Sequence, residues 1–516
     1  MVDSRYADGH GAGGRDEGVV FPLVEGRRSS TATGRAVFAD AARAADAGLA
    51  EEIAAERAWR KRYLVHVRRL LETCAGSGDC ALAAAEAGLA SLHRRFDLGR
   101  DGSTVTLAEA HAIARTRGLR TIEVRGEGTG EDRFGVRYRG ELLRDDLLHR
   151  QLDRWIDAGT VEPSFADAIR LVMANPDWLD LSDHRVVLLG AGAEMSPLPS
   201  LCRWGAHILP VDLPRPEIWR HVLGAVRQGR GRARIPVPAA LPADIDGDTL
   251  VRAAGADLVT DLPEVTAWLD DAAGADGPLT LANYVYADGA AHVRVAMAVD
   301  AVAAHLGRRR DDLSLAVLAT PTDVFAVDED AVAMAQQRFA GPGAARGVQR
   351  VTRGISGGRL FAPNYPSLVT SAEGLRFGIA DCLVTQQGPN YALAKALQRW
   401  RATVARHQGR LVSINVAPPT RTRSVLKNRA LAAAYAGAHR FGVEVFDPAT
   451  SSALMAALLV HDLRNPSAAG NPRAPLAHPL QLLSQGAGHG GLWRIPFAPR
   501  SVLGFAVALG MVRRRT

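Results

Sequence analysis

Hydrophobic residues recur at helical spacing from residue 33 to about 95, where Ala, Leu, Glu and Arg dominate and Tyr63, Val67, Leu70 and Leu71 share one face. The spacing predicts two or three helices. Short alternating stretches follow at 121–125 and 134–138, and the glycine-rich run between them predicts a β-hairpin. Another helical stretch is predicted from 141 to about 173. From Arg185 the texture changes. Apolar runs at 186–189, 207–212, 256–259, 279–285, 313–319 and 411–416 read as strands, with helical patterns at 198–204, 290–306 and 391–407 between them. Strands alternating with helices predict an α/β fold with a parallel sheet covered on both faces.

At 516 residues the chain exceeds one ordinary core, so several units are expected. The pattern divides it into a disordered tail (1–32), a mainly helical N-terminal domain with a small hairpin (33–180), the α/β domain (181–447) with an insertion at about 323–388, and a C-terminal extension (448–516). Apolar residues make up 47% and charged residues 23%, the composition of a globular protein. A net charge of +7 is modest over this length and lacks an aromatic-plus-basic stripe, so no nucleic-acid partner is expected. The first residues have no apolar core of the kind a signal peptide needs. Cys74, Cys80, Cys202 and Cys382 match neither a redox pair nor a zinc knuckle, which suits a reduced, cytoplasmic interior. The apolar segment 501–512 is too short to span a bilayer. Followed by Arg513, Arg514 and Arg515, it could dock on the protein or rest on an anionic membrane. Homo-oligomerisation stays open.

Chemistry concentrates in the α/β region. Gly190-Ala-Gly192 follows the 186–189 strand, and Asp212 ends the next strand. Glycines let a backbone approach a pyrophosphate, and a carboxylate at the second strand's end can hold ribose hydroxyls. This is the pattern of a Rossmann-type doubly wound sheet. Asp212 favours NAD, although Arg215 nearby leaves NADP open. Ser196 and Pro197 stand where a third glycine is expected, so a structural turn without ligand is a live alternative. The same segment also occurs in methyltransferases that use S-adenosylmethionine.

Tyr391 and Lys395 lie four apart on one helical face, before the 411–416 strand and the segment Ala417-Pro-Pro-Thr-Arg-Thr422. This YxxxK pattern resembles the short-chain dehydrogenase/reductase family, whose post-strand segment is echoed by Asn415, Val416, Pro418, Pro419 and Thr422. The resemblance implies an NAD(P)-dependent oxidoreductase interconverting a carbonyl and a hydroxyl on a small-molecule substrate, whose class stays open; an apolar or acyl one fits the Leu- and Ala-rich C-terminal region. Tyr391 would be the acid/base, and Lys395 would lower its pKa and hold the nicotinamide ribose. It also implies Asn283 beside the cofactor and Thr320 in place of the family's serine. Gly190, Gly192 and Asp212 would complete the cofactor site. Chance pairing of Tyr and Lys, a structural Asn283 and a capping Thr320 are the plain alternatives. The stretch between Thr320 and Tyr391 is far longer than the family's, and the family's helix asparagine has no counterpart in 290–306. A non-catalytic Rossmann scaffold is the alternative function from another class. The histidines at 461 and 489 read as loop or surface residues, and no metal is expected.

Overall fold

Four helices fill residues 30–95, one or two more than the spacing predicted: α1 (Ser30–Arg43), a short helix at Ala47–Ala55, α2 (Trp59–Ala75) and α3 (Gly78–Arg95). Ser29 starts the first by accepting a hydrogen bond from Ala32 N at 3.2 Å. The computed structural model describes residues 17–110, 118–274, 277–342 and 344–513. Residues 1–16 of the expected tail lie outside these, as do Arg514 and Arg515. Ahead of α1, Gly18–Val20 pairs antiparallel with Asp97–Arg100, so the rest of that segment is not simply a tail.

The predicted hairpin is absent. Residues 121–125 belong to β1 (Leu119–Arg125), which joins the large sheet, while Val136–Tyr138 pairs instead with Glu141–Leu143. The glycines after β1 serve a chain crossing rather than a turn. Gly126 N donates to Gly231 O at 2.8 Å, and a Cβ on Gly126 would stand 2.1 Å from the Gly229 oxygen. The predicted helix at 141–173 is two helices, Asp145–Asp157 and Pro163–Ala174.

Six parallel strands follow: β2 (Arg185–Leu189), β3 (His207–Val211), β4 (Arg232–Pro238), β5 (Leu279–Asn283), β6 (Leu313–Ala319) and β7 (Val412–Val416). Their spatial order is β7-β6-β5-β2-β3-β4-β1, with β1 antiparallel at one edge. The third strand is therefore β4, not residues 256–259. Those four residues are irregular chain running into a turn, in which Leu258 and Val259 are buried and the Val259 carbonyl accepts from Val19 N. The chain runs outward from β2 through β3 to β4, then returns to the other side of β2 with β5. The order thus reverses between β2 and β5, a position at whose carboxyl ends open α/β sheets commonly take ligands.

The helices are α4 (Leu198–Arg203), α5 (Pro216–Gln228), α6 (Gly289–Arg309), α7 (Ala344–Ile355), α8 (Gly388–His407), α9 (Pro448–Arg464) and α10 (Pro499–Arg513). Side chains 186–189 of β2 alternate between two cores although all four are apolar. Val187 and Leu189 pack with α6, α8 and the N-terminal helices; Val186 and Leu188 pack with α4, α5, α9 and Pro163–Ala174. Residues 323–388 hold a three-stranded antiparallel sheet (Val324–Asp328, Arg376–Asp381, Leu368–Thr370), the helix Glu329–Ala340, and α7. Among the described residues no helix is long and apolar enough to cross a membrane.

Candidate functional site

The residues singled out from the sequence lie at or just after the carboxyl ends of β2, β3, β5 and β6, and on α8. Gly190 sits at φ +78°, and a Cβ there would stand 2.9 Å from the Tyr284 backbone, so the two loops can approach only with glycine at this point. Gly192 N donates to Asp212 Oδ2, and Leu213 N to Asp212 Oδ1, each at 2.8 Å. Burial pushes the Asp212 carboxyl up, and these two amides pull it partly back. Asp212 thus braces the glycine loop from within, rather than presenting a free carboxylate. Ser196, in place of the third glycine, is buried: its carbonyl accepts from Ser452 Oγ at 2.7 Å, which ties the start of α4 to α9.

Thr320 follows β6 and Tyr391 lies in the first turn of α8. Their hydroxyls are 2.5 Å apart, and Thr322 Oγ1 lies 3.2 Å from the same Tyr391 oxygen. Gln387 Nε2 donates to Thr322 Oγ1 at 2.8 Å, and an Arg399–Asp323 ion pair clamps the 320–323 loop onto α8. Burial pushes the Tyr391 phenol up to about 12, with the two threonine hydroxyls working against it. The expectation that Lys395 would draw it below its usual value is not met; burial dominates, so the phenol keeps its proton at neutral pH. Lys395 Nζ lies 5.9 Å from the Tyr391 ring centroid and donates to Gln398 Oε1 at 3.0 Å. Burial pushes this ammonium down to about 8.

Asn283 ends β5, and its Oδ1 accepts from Val285 N at 3.2 Å, shaping the turn that crosses Gly190. It also lines a small cavity on the α6/α8 seam together with Asp300, Gln398 and Arg401. Arg401 holds Asp300 through Nε and Nη2, both at 2.7 Å, and His93 Nε2 lies 2.6 Å from the same carboxylate.

No family model matches the chain, and no curated protein matches it.

One neighbour of Tyr391 escaped the sequence reading. His292, near the start of α6, is 1% exposed, with its ring centred 5.9 Å from that of Tyr391 and its Nε2 without a hydrogen-bond partner. Burial and the nearby Lys395 push it down to about 3, so it is a neutral imidazole. A histidine inside the apolar run 290–306 was the available signal.

Other candidates prove structural. Asn415 Nδ2 donates to Asp462 Oδ2 at 2.8 Å, fastening β7 to α9. His489 is not a surface residue: it is fully buried, 2.8 Å from Glu162 Oε1, and Arg494 Nε donates to that same oxygen at 2.9 Å. His461, largely buried near the end of α9, lies 3.1 Å from Asp462 Oδ1. Arg423, in the post-β7 segment, reaches back to Glu194 of the glycine loop at 2.9 Å, so the loops after β2 and β7 meet. No group of three or more His, Cys, Asp and Glu among the described residues is arranged to hold a metal ion.

Proposed function

We propose that this chain is a Rossmann-type, NAD(P)-dependent oxidoreductase that interconverts a carbonyl and a hydroxyl group. The single observation that carries the reading is the contact between the Tyr391 and Thr320 hydroxyls at the carboxyl edge of the sheet. A phenol and an alcohol within hydrogen-bond reach can together receive one substrate oxygen, the alcohol orienting it and the phenol exchanging its proton.

The strand order 4-3-2-5-6-7, with glycines at the β2/β5 reversal, supports a dinucleotide there. The residues present fit such a group: the loop after β2 is drawn tight by glycines, where a Cβ would meet the Tyr284 backbone at 2.9 Å or Ile218 at 2.6 Å, and the Lys395 ammonium has donor capacity beyond its bond to Gln398. Gly190 and Gly192 would face the pyrophosphate, Asp212 would fix their loop, and Asn283 and Lys395 would lie toward the nicotinamide ribose. Such a cofactor, when bound, supplies or accepts a hydride. Tyr391, protonated at neutral pH, would give its proton to the carbonyl oxygen, which suits the reducing direction. Thr320 would hold that oxygen, and Thr322, fixed by Gln387, would keep the phenol in place. Burial of Tyr391 and His292 would keep water from the exchange.

A second reading, a non-catalytic scaffold on the same fold, draws support from Asp212, which is buried with each oxygen accepting a backbone N–H, from Gly192 and from Leu213. Thermal-shift titration with NADH, NADPH and S-adenosylmethionine separates the readings. A dinucleotide at 100 times its dissociation constant adds ~2.7 kcal/mol. A shift with NADH or NADPH and turnover on a carbonyl panel is the expected result. Dinucleotide binding without turnover gives the scaffold, and a shift with S-adenosylmethionine alone gives a methyltransferase.

A further inference from the structure

Helix α7 lies in the insertion between β6 and the tyrosine helix, and it exposes what a helix ordinarily buries. Val348, Val351 and Ile355, spaced three and four apart along one stripe, are 69%, 61% and 84% exposed. Scattered single apolar residues on a surface need no explanation; a three-residue aliphatic stripe on a 12-residue helix does. The helix is nonetheless held to the body of the protein. The Arg353 guanidinium lies 5.7 Å from the centre of the Phe339 ring, and the chain leaving the helix delivers Phe361 onto Phe497 and Phe505, at 5.2 Å and 4.8 Å. Phe505 belongs to α10, so both helices flank one aromatic knot. Helix α10 likewise exposes Leu509, Met511 and Val512 near its end.

Charge says what covers the stripe. From Ala331 to Ala372 the chain has five arginines (Arg338, Arg346, Arg350, Arg353 and Arg359) and no Asp or Glu. From Asn465 to the last residue there is again no acid, and Arg513, Arg514 and Arg515 follow the exposed end of α10. A protein partner's interface ordinarily pairs charges of both signs, whereas an apolar stripe flanked by one positive sign matches the interfacial zone of an anionic bilayer, where aliphatic side chains enter the acyl boundary and guanidinium groups meet phosphates. We infer that α7, with the end of α10 beside the same aromatic knot, docks this protein peripherally on anionic membrane surfaces. The helix lies flat, Val348, Val351 and Ile355 inserted and Arg350 at the headgroups. This inference does not depend on the reductase reading, since none of these residues touches the Tyr391 site.

The test is co-sedimentation of the full chain with vesicles of phosphatidylcholine alone, and of phosphatidylcholine with about one-third phosphatidylglycerol. Binding to the anionic vesicles, weak binding to the neutral ones and release by high salt are expected. The double variant Val351→Asp/Ile355→Asp should lower the bound fraction by about tenfold, and Arg350→Glu should lower it less. Both variants change exposed side chains, and unchanged melting temperatures would confirm that the fold is intact. Ile355→Trp should bind at least as well and blue-shift its fluorescence with anionic vesicles. Failure of the wild type to bind them, or equal binding by the double variant, overturns the proposal. A wild-type dimer that the double variant converts to monomer, without vesicle binding, also overturns it and gives the stripe to a second copy.

Discussion

The Tyr391 hydroxyl lies 2.5 Å from the Thr320 hydroxyl, although the two are 71 positions apart in the chain. The intervening insertion leaves from the end of β6 and returns to the start of α8, so its length does not disturb the meeting of its two ends. If this pair handles a substrate oxygen, Tyr391→Phe removes the proton donor and should lower kcat/KM for carbonyl reduction by ~10²–10⁴-fold. NADH affinity, measured by fluorescence titration, should stay unchanged. Thr320→Ala should cost ~10²-fold and Thr320→Ser far less, because serine restores the hydroxyl. An undiminished rate in Tyr391→Phe would remove it as the acid.

Lys395 gives a pH-dependent prediction. Its ammonium has a folded-state pKa of about 8 against an ordinary 10.5. The folded state therefore binds this proton less readily than the unfolded chain. Below about pH 8 the buried charge destabilises the fold, and the penalty fades as pH rises toward the unfolded value. Lys395→Met should be the more stable protein near neutral pH, by up to ~3 kcal/mol, with the gap closing by about pH 10. Urea melts of both proteins across that range check it; a gap that does not narrow with pH would count against a buried ammonium.

The Asp300–Arg401 pair should behave in the opposite way. Burial alone would raise the Asp300 carboxyl, but Arg401 and His93 more than offset it and hold it well below the usual carboxylate range. The stability it confers is present above the ordinary carboxylate pKa and lost only when pH falls through that depressed value. Asp300→Ala strands a buried guanidinium and should cost ~3–5 kcal/mol. The double variant Asp300→Leu/Arg401→Leu should recover part of that loss in a denaturant melt, which additive single effects would not produce.

Helix α3 meets α8 at Gly88. A Cβ at this position would stand 2.6 Å from the Trp400 ring, which also packs edge-on with Phe38 at 5.8 Å. Gly88→Ala should destabilise the protein by ~1–3 kcal/mol through overpacking, despite alanine's better helix propensity. A stabilised variant in thermal melts would show that the two helices separate freely.

Much of the large sheet was legible because its strands are short, mainly apolar and set between helical stretches: 186–189, 207–212, 279–285, 313–319 and 411–416 all fall on or around strands. The third strand was not. In β4, Arg232 and Arg234 alternate with Ala233, Ile235 and Val237, while Pro236 and Pro238 argue against a strand. They are tolerated because the ladder to β3 ends at Ala233, leaving the proline half paired only with β1. The hairpin reading failed because Gly126 and Gly128 answer to a distant segment, and local spacing carries no trace of such a crossing. At the site, the four-residue spacing marked Tyr391 and Lys395, and strand order marked Thr320. His292 and the Asp212–Gly192 bond depend on three-dimensional neighbours.

Helix α8, the carrier of Tyr391 and Lys395, has the sheet beneath it and α1, α2 and α3 above it. It therefore has almost no solvent face of its own. Residues 30–95 act as a roof rather than an appendage, and α8 is enclosed between that roof and the sheet. An expression fragment begun at Arg185 would bare Leu393, Leu397 and Trp400 to water and would be expected to precipitate. Homologous trimming or domain grafting has to carry the roof along with the sheet.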